Sequence, residues 1–387
     1  MNEKSCGAII IYNNKVLVIK QKQGFYGFPK GHVIEGESEI ETALREVKEE
    51  VNLDVVIDES KRYSINYITD KNINKTVVFF LAHPISFDLK IQEEELKKAQ
   101  WVDIEDVSSI LTHQDLRDLF INICNDMKQE LKESIEKNYN LDIVDITKSS
   151  ESTVKNVYII STKNKKYVAK IYNNDLYRSM IKIIEDIKDN FYVPNIIKTI
   201  SNKFYMKIYN YHLILYDFLL GTQLEHTKIT TDIIKEMACT LRLFHNYTSK
   251  NIYDVEEVKI DNINLDRKSL LHFDLTKGNI FYYNKKIGLI DFDDARYGIS
   301  AMDVAIILVH LFCSKKNGIN GEGIKIFLNY YYEDKVLMEK EVKYIKDLSV
   351  RWIDDVMKQS LPISTIESLD IKKNLILNFD FVKLMSE

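Results

Sequence analysis

The chain has 387 residues, 45% hydrophobic and 29% charged, a composition typical of a soluble globular protein with two or three domains. A formal net charge of −5 argues against a general binder of nucleic acid or of membrane surfaces. Four cysteines lie far apart without a CxxC pair, so we expect neither a disulfide framework nor a zinc site.

Two further features indicate where the protein works. The N-terminal sequence MNEKSCGAII lacks the charged and then apolar pattern of a signal peptide. The longest apolar run, residues 304–313, is too short to span a bilayer and predicts a buried helix. We therefore expect a cytoplasmic protein that does not bind membranes.

The first hundred residues predict an α+β domain. Two apolar, β-branched runs, GAIIIY and KVLVIKQ, are separated by the turn signal Asn13-Asn14 and predict two strands. After a glycine-punctuated loop, residues 39–51 carry an apolar stripe with helical periodicity. Further predicted strands are LDVVI, RYSINYI, TVVFFLAH and QWVDI.

A second domain follows a long predicted helix over residues 113–137. The last part of this helix, residues 128–138, is charged and poor in apolar residues, so we expect it to join two domains. Strand character then resumes, and from Thr231 the pattern is mainly helical apart from a predicted hairpin, GNIFYYNKKIGLIDF. The predicted domains are residues 1–132 and 138–387, the latter with lobes of about 138–220 and 221–387.

Three glutamates crowd one face of the predicted helix 39–51. Glu46, Glu49 and Glu50 have the spacing i, i+3, i+4, which places like charges together and costs roughly 0.2–0.5 kcal/mol per pair. Either this face is solvated, or a cation such as a metal ion lies against it.

The surrounding residues favour the cation. The pattern is Gly-x5-Glu-x7-Arg-Glu-Val-x-Glu-Glu-x-Asn-Leu, beginning at Gly31, and it resembles the Nudix box of the Nudix hydrolases. These enzymes cleave nucleoside diphosphates linked to another moiety, and the resemblance implies an α/β/α sandwich. Asn52 stands where the family usually has glycine. Asparagine is the next-best residue for a left-handed helix C-cap, so we expect the geometry to be preserved.

The resemblance also implies roles for the acids. Glu46, Glu49 and Glu50 would hold Mg²⁺ or Mn²⁺, which prefer carboxylate oxygens, and Glu49 or Glu50 would act as a base on water. Glu37 would orient the helix through Arg45 and keep that cation away from the metal.

Two more residues belong to this first candidate site. Glu95 lies where related enzymes often place another metal-site acid. The stretch FPKGH resembles the Nudix branch that hydrolyses dinucleoside polyphosphates or trims related ends, and Lys30 within it either contacts a phosphate or is a solvated loop lysine.

A second candidate site lies in the stretch LLHFDLTKGNIFYYNKKIGLIDFDDARYG. His272-x-Asp274-x4-Asn279 has the spacing of the kinase catalytic loop, and Asp291 follows twelve residues after Asn279. Phosphoryl transfer needs a base for the acceptor hydroxyl and oxygen ligands for Mg²⁺. This assigns Asp274 as base and Asn279 and Asp291 as metal ligands.

The sequence differs from protein kinases and resembles small-molecule kinases. Phe273 replaces the protein-kinase arginine, and no Ala-Pro-Glu motif follows. The stretches HFDLTKGNI, LIDFDDARYG and AMDVA resemble the aminoglycoside phosphotransferase and choline kinase group, which implies a bilobal kinase-like fold with a mainly helical C-lobe. Asp303 matches the aspartate at the start of a helix in that group, and we expect its role to be structural. LRLFH, ending at His245, matches another helix of the family.

Upstream residues extend this resemblance to the site that would bind the nucleotide, ATP or GTP. Lys170 in YVAKIY matches the lysine that contacts the α/β-phosphates, and Glu185 is its expected ion-pair partner. LILYDFLLG resembles the hinge that receives the base. The nucleotide loop lacks glycine, and Ser152 with backbone N–H groups would face the phosphates.

The leading hypothesis is therefore a bifunctional enzyme that acts on small molecules and nucleotides. One alternative is a kinase regulated by a non-catalytic, nucleotide-sensing Nudix domain, and another makes the kinase-like domain a binding module. The acceptor pocket would come from the C-terminal helices. Trp352, Asp354 and Asp355 there suit a cationic amine, but they suit an ordinary half-exposed helix better.

Overall fold

The computed structural model describes residues 2–69, 72–149, 156–208, 211–260, 262–359 and 361–386. The chain forms two compact units, and the main division along the chain falls between Lys137 and Asn138. None of the helices in these ranges is long and apolar enough to cross a membrane.

The first unit is built on a mixed sheet. Its strands within the described ranges are β1 Asn2–Tyr12, β2 Lys15–Gln21, β3 Tyr26–Gly27, β4 Lys30–His32, β5 Val55–Ile68, β6 Asn74–Pro84 and β7 Leu96–Asp103. The strand order is β3-β2-β1-β6-β5, with β4 paired to β1 and β7 paired to β2. The central pair β1–β6 is parallel. Its helices are α1 Glu39–Val51, α2 Ile104–Ile110 and α3 Gln114–Tyr139.

Alternating side chains of the sheet form two hydrophobic cores. Ala8 and Ile10 face α1, where they pack with Val47. Ile9 faces the other side and packs with Phe120 of α3. Because successive side chains of a strand point to opposite faces, one apolar run serves both cores. The predicted α/β/α sandwich is confirmed.

The local turn and cap predictions are also confirmed. Asn13 and Asn14 both have positive φ, 49° and 62°, and they connect β1 to β2. Asn52 has φ 58° and closes α1 through a backbone hydrogen bond to Lys48. The two strands predicted over residues 53–68 form instead the single strand β5, whose register with β6 shifts between Asp58 and Arg62. That bulge separates the two apolar runs without ending the strand.

The second unit has the two lobes of a kinase-like fold. In the described residues its first sheet contains β8 Ile143–Lys148, β9 Asn156–Thr162, β10 Lys166–Tyr172, β11 Ile196–Ile197, β12 Met206–Ile208 and β13 Tyr211–Asp217. The strand order is β11-β13-β10-β9-β8, with β12 paired to β13. Helix α4, Leu176–Ile187, follows β10 and buries Met180, Ile183 and Ile184 on one face.

The second lobe is mainly helical, as predicted. Its helices are α5 Thr231–Thr248, α6 Ala301–Phe312, α7 Gly321–Tyr331, α8 Lys335–Met357, α9 Ile363–Leu377 and α10 Phe381–Ser386. Its short strands are β14 Thr222–Gln223, β15 Lys268–Leu271, β16 Ile280–Tyr283, β17 Lys286–Leu289, β18 Arg296–Ile299, β19 Cys313–Ser314 and β20 Gly318–Ile319. Nearly every residue of α6 is buried, so the apolar run seen in the sequence is a core helix.

The joining segment departs from its prediction. Residues 128–138 belong to α3, and Leu131 and Ile135 are buried there, at 7% and 0% exposure. A four-residue spacing between two apolar positions keeps them on one helix face, which the surrounding charges concealed in the sequence. The segment is therefore a continuous amphipathic helix that contributes core residues.

Candidate active sites

Arg45 lies at the centre of the first site. Its Nε and Nη2 donate to the two carboxylate oxygens of Glu37, at 2.7 and 3.0 Å. Its Nη1 donates to Glu46 at 2.7 Å and to Glu49 at 3.1 Å. The pairing of Arg45 with Glu37 is as predicted, and Arg45 also pairs with two of the predicted metal ligands, Glu46 and Glu49. The guanidinium offsets the repulsion among the acids of α1.

Glu50 differs from the other acids of the helix because it is buried, with 2% exposure. Its carboxylate accepts the backbone N–H of Lys30 at 3.1 Å. Burial raises the pKa of Glu50 to about 8; Lys30 opposes this rise, whereas Glu46 and Glu95 add to it. Glu46, Glu50 and Glu95 therefore lie within electrostatic range of one another.

Lys30 lies against the same acids. Burial lowers its pKa, as does Lys75, whereas Glu50, Glu46 and Glu95 oppose that lowering. A half-buried ammonium that faces carboxylates is not a solvated loop lysine, so the structure disfavours that alternative for Lys30.

Gly31 explains why the loop can approach the acid helix so closely. A Cβ at this position would lie 2.0 Å from the carboxyl carbon of Glu46. The backbone of β4 therefore lies directly against the carboxylate, which only glycine permits. Arg45 joins the two segments as well, because its Nη2 donates to the carbonyl of His32 at 3.0 Å.

The donor set of this site fits a divalent cation in chemistry. Within the described residues no three His, Cys, Asp or Glu side chains converge as ligands of one ion. The reason is local, since Arg45 holds Glu46 and Glu49 while Glu50 accepts from Lys30. Burial is the main cause of the raised pKa of Glu50, and the charges of Glu46 and Glu95 add to it. Carboxylate oxygens gathered in this way are ligands that a hard cation prefers.

The second site is built around the catalytic-loop sequence. Asn279 Nδ2 donates to the Asp274 carboxylate at 2.7 Å and to its carbonyl at 3.0 Å. His272 Nδ1 accepts the N–H of Asp274 at 3.4 Å, which assigns the proton to Nε2, and Nε2 donates to the carbonyl of Ile290 at 2.9 Å. The loop thus fixes Asp274 and leaves the amide oxygen of Asn279 available to a cation.

Lys170 bridges the two lobes of the second unit. Its ammonium contacts the carboxylates of Asp291 and Asp293, both at 2.7 Å. Although burial opposes the charged form, both carboxylates raise the pKa of Lys170 above its usual range. The prediction that Lys170 pairs with Glu185 is wrong, because Glu185 pairs with Lys188, just past the end of α4, at 2.8 Å.

Asp293 is a site residue that the sequence analysis missed. Besides Lys170, it accepts a hydrogen bond from the hydroxyl of Tyr172 at 3.1 Å. Its position two residues after Asp291 in Asp-Phe-Asp was the available signal. Between them Phe292 is buried and packs on the ring of His272, with centroids 4.5 Å apart. This ring contact anchors the residue between the two aspartates.

The remaining predicted site residues are one of the nucleotide loop and three of the C-terminal helices. Ser152 lies outside the described residues. Trp352 is buried against His310, with ring centroids 5.1 Å apart. Asp354 and Asp355 pair with Lys373 and Lys358, respectively. These acids are thus neutralised locally, which agrees with the ordinary-helix interpretation.

Fold and sites together define a chain with a Nudix-like unit followed by a kinase-like unit. The NUDIX domain family model matches residues 1–122, and that of the phosphotransferase enzyme family matches residues 256–320. Both are families of enzymes.

Individual comparisons cover one unit at a time. The asymmetrical bis(5'-nucleosyl)-tetraphosphatase of Rattus norvegicus is 27% identical over 130 residues, covering 30% of this chain and 88% of that protein. Nudix hydrolase 2 of Arabidopsis thaliana is 35% identical over 109 residues, covering 26% and 38%. The structure of an amicoumacin kinase in complex with AMP-PNP, Ca²⁺ and Ami has a TM-score of 0.53 at 16% identity, covering 66% of this chain and 96% of that one. That last likeness concerns the fold alone.

Proposed function

We propose that the protein is bifunctional, with a metal-dependent hydrolase and a small-molecule kinase in one chain. The hydrolase would cleave nucleoside diphosphate links, with dinucleoside polyphosphates as the preferred class. The kinase would transfer the γ-phosphoryl group of ATP or GTP to a hydroxyl. The two domains proposed are the Nudix domain and the kinase-like domain, with their boundary at the end of α3.

The hydrolase proposal depends chiefly on the acids around Arg45. Glu46, Glu49, Glu50 and Glu95 would hold Mg²⁺ or Mn²⁺, which supplies charge neutralisation for the phosphates and a more acidic water when bound. Glu49 or Glu50 would be the base that accepts a proton from the attacking water. Lys30 adds a positive charge for the polyphosphate, and the similarity to a bis(5'-nucleosyl)-tetraphosphatase supports this substrate class.

The kinase proposal depends chiefly on the contact of Lys170 with Asp291. Lys170 would orient the α/β-phosphates once Asp291 and Asn279 hold the nucleotide's metal, which neutralises the developing charge. Asp274, fixed by Asn279, accepts the proton of the acceptor hydroxyl. The fold of the amicoumacin kinase supports a small-molecule acceptor.

Glu50→Gln and Glu49→Gln test the hydrolase in the full chain. Each should lower the hydrolysis of a dinucleoside tetraphosphate by at least ~10²-fold, because a metal ligand or the base is lost. Folding should be unaffected, since removing one acid relieves repulsion. Glu94→Gln, an exposed acid beside Glu95, is the matched control. Near-wild-type hydrolysis in both variants would exclude this face as the metal site.

Asp274→Asn and Asp291→Ala test the kinase. Asp291→Ala should abolish Mg²⁺-dependent nucleotide turnover, whereas Asp274→Asn should keep nucleotide binding and lose transfer. Acceptors are found by screening a metabolite extract with labelled ATP. If the wild-type chain binds dinucleotides but never hydrolyses them, while nucleotide addition changes kinase turnover, the nucleotide-sensing alternative replaces the hydrolase.

A further inference from the structure

Two buried tyrosines lie beside the acids that contact Lys170. Tyr172 lies two residues after Lys170 on β10, and alternate residues of a strand share one face. Tyr216 lies on the neighbouring strand β13, opposite Val168, which places it on that same face. Both tyrosines are almost fully covered, with exposures of 5% and 9%, so their hydroxyls need hydrogen-bond partners within the protein.

The hydrogen bonds of these hydroxyls run in one direction. The hydroxyl of Tyr172 donates to the carboxylate of Asp293 at 3.1 Å, and its oxygen lies 3.3 Å from the hydroxyl oxygen of Tyr216. Burial raises the pKa of both tyrosines well above the usual range, so both hydroxyls keep their protons. A hydroxyl has one proton to donate, and Tyr172 uses its proton toward Asp293, so Tyr216 is the donor to Tyr172. These two tyrosines and Asp293 are called the tyrosine relay.

Lys170 contacts two acids that differ in accessibility. Its ammonium lies 2.7 Å from a carboxylate oxygen of Asp291 and 2.7 Å from one of Asp293. The side chain of Asp291, the proposed ligand of the nucleotide's metal, is 22% exposed. The side chain of Asp293 is only 11% exposed, and it accepts from Tyr172. Once Asp291 holds the metal, Asp293 remains to pair the buried ammonium of Lys170, and an unpaired buried charge is costly.

We propose that Tyr172 and Tyr216 are positioning residues, which fix the carboxylate of Asp293 and through it hold the Lys170 ammonium in place for the nucleotide phosphates. This inference rests on the proposed kinase function. A hydroxyl makes a strong hydrogen bond to a carboxylate without cancelling the negative charge that Lys170 needs. Because Tyr216 lies in the stretch LILYDFLLG, the relay joins the segment predicted to receive the nucleotide base to the acids at the proposed metal site.

Tyr172→Phe in the full-length chain removes the hydroxyl and retains the ring. The ring centroid of Tyr172 lies 5.5 Å from the Lys170 ammonium, within the range of a cation–π contact, which phenylalanine would keep. Binding is measured with a fluorescent, non-hydrolysable ATP analogue and Mg²⁺. The part of the binding that Asp291→Ala removes is assigned to the second unit. A GTP analogue takes the place of the ATP analogue if the wild type binds only GTP.

Tyr172→Phe should weaken the binding of the nucleotide analogue at least fivefold, because Lys170 is no longer held for the phosphates. The corresponding nucleoside, which has no phosphates, is measured by its competition with the analogue at the same site. Its affinity should stay at the wild-type value. General damage to the lobe would instead weaken both ligands, so the comparison separates a positioning role from a merely structural one.

Further variants separate the relay from other effects of losing a hydroxyl. Tyr216→Phe should weaken the binding of the analogue at least twofold. The double variant should bind no more weakly than Tyr172→Phe, because Tyr216 acts through Tyr172. Tyr167→Phe is the matched control, since this half-buried tyrosine of β10 lies on the opposite face of the strand. It should leave both affinities unchanged.

Three results would overturn the inference while leaving the kinase proposal intact. These are an unchanged affinity for the analogue in Tyr172→Phe or Tyr216→Phe, an equal loss for analogue and nucleoside, and additive losses from the two single variants. If denaturant unfolding shows that Tyr172→Phe does not fold, Tyr216→Phe provides the same comparison with the same contrary outcomes. If no nucleotide binding by the wild type depends on Asp291, the kinase proposal fails, and this inference fails with it.

Discussion

The carboxylate of Asp303 accepts the backbone N–H of His272 at 2.7 Å, from a position that is completely buried. Its other oxygen accepts the N–H of Phe273 at 3.0 Å. Phe273 has φ 66°, a left-handed conformation that costs a non-glycine residue about 1–3 kcal/mol. Asp303 therefore holds Phe273, the strained residue that precedes Asp274, in place. This is the structural role expected of Asp303.

Asp303 belongs to a network of hydrogen-bonded side chains that are mostly buried. His245 Nε2 donates to it at 3.2 Å, and burial lowers the pKa of His245. The hydroxyl of Tyr331 donates to His245 Nδ1 at 2.7 Å and accepts from Arg267 at 2.9 Å. Arg267 in turn pairs with the buried Glu341. The loop geometry thus depends on residues from α5, α6, α7 and α8.

The first prediction is that Asp303→Ala destabilises the second unit and abolishes phosphoryl transfer. Two buried N–H groups lose their acceptor, which costs roughly 2–6 kcal/mol in total. Denaturant unfolding followed by Trp352 fluorescence measures the loss. Asp355→Ala, which removes an exposed acid paired with Lys358, is the control and should change stability by less than ~1 kcal/mol. Normal transfer by Asp303→Ala would contradict the role assigned to Asp303.

The second prediction concerns the close approach of the loop to the acid helix. Gly31→Ala places a Cβ about where the Glu46 carboxylate now lies, so Glu46 must move and hydrolysis should fall by at least ~10-fold. Gly27→Ala is the matched control, because its Cβ would meet only the side chain of Leu116, at 3.6 Å. Steady-state hydrolysis of a dinucleoside tetraphosphate checks both. Equal rates in the two variants would show that the position of Glu46 is unimportant.

Much of the first site, the acid cluster around Arg45, could be predicted from the sequence because its residues lie close together along the chain. A helix fixes which side chains share a face, so Glu46, Glu49 and Glu50 could be grouped from their spacing alone. The burial of Glu50 was not predictable, since it depends on how the backbone of Lys30 in β4, a separate element 20 residues away, packs against α1. The same limit applies to Arg45, whose choice of Glu46 and Glu49 as additional partners depends on rotamers that spacing does not specify.

In the second site, too, local spacing predicted some contacts and the tertiary fold determined others. The loop spacing grouped Asp274 with Asn279, but the partner of Lys170 required the tertiary arrangement. The sequence offered Glu185 at a plausible distance along the chain, whereas Asp291 and Asp293 lie more than a hundred residues away.

The third prediction is a pH dependence of stability in the second unit. The folded-state pKa of His310, about 3, lies below the unfolded value of about 6.5. As the pH falls, His310 therefore binds a proton in the unfolded chain at a higher pH than in the folded protein. The contribution of neutral His310 is fully present above pH ~6.5 and is lost toward pH ~3, at up to ~1.4 kcal/mol per pH unit. The charges of Lys372 and Lys277 lower the pKa of His310 further.

His310→Gln should reduce that slope by about one proton between pH 6.5 and 5, in denaturant unfolding monitored by Trp352. The buried His245 remains and keeps a residual slope, because burial lowers its pKa too. His226→Gln replaces a histidine whose side chain is 63% exposed and serves as the control. An unchanged slope in His310→Gln would show that His310 can be protonated in the folded protein.

The last prediction is that the two units are separable when α3 is kept whole. The sequence predicts domains 1–132 and 138–387, but Ile135 is fully buried and belongs to the first unit. Its loss from 1–132 should cost about 1.5–3 kcal/mol of stability. The second unit begins at Asn138, whose carbonyl accepts the N–H of Ile200 at 2.8 Å. We therefore expect residues 1–139 to hydrolyse diphosphate substrates and residues 138–387 to bind nucleotide.

Thermal unfolding and activity of these fragments, beside the intact chain and beside 1–132, provide the test. Fragment 1–139 should melt several degrees above 1–132, because the shorter one lacks a buried isoleucine. Two results would contradict separability: insolubility of either long fragment, or an activity restored only when the two are mixed. In both cases the units depend on each other, and regulation of the kinase by the Nudix domain would become the better hypothesis.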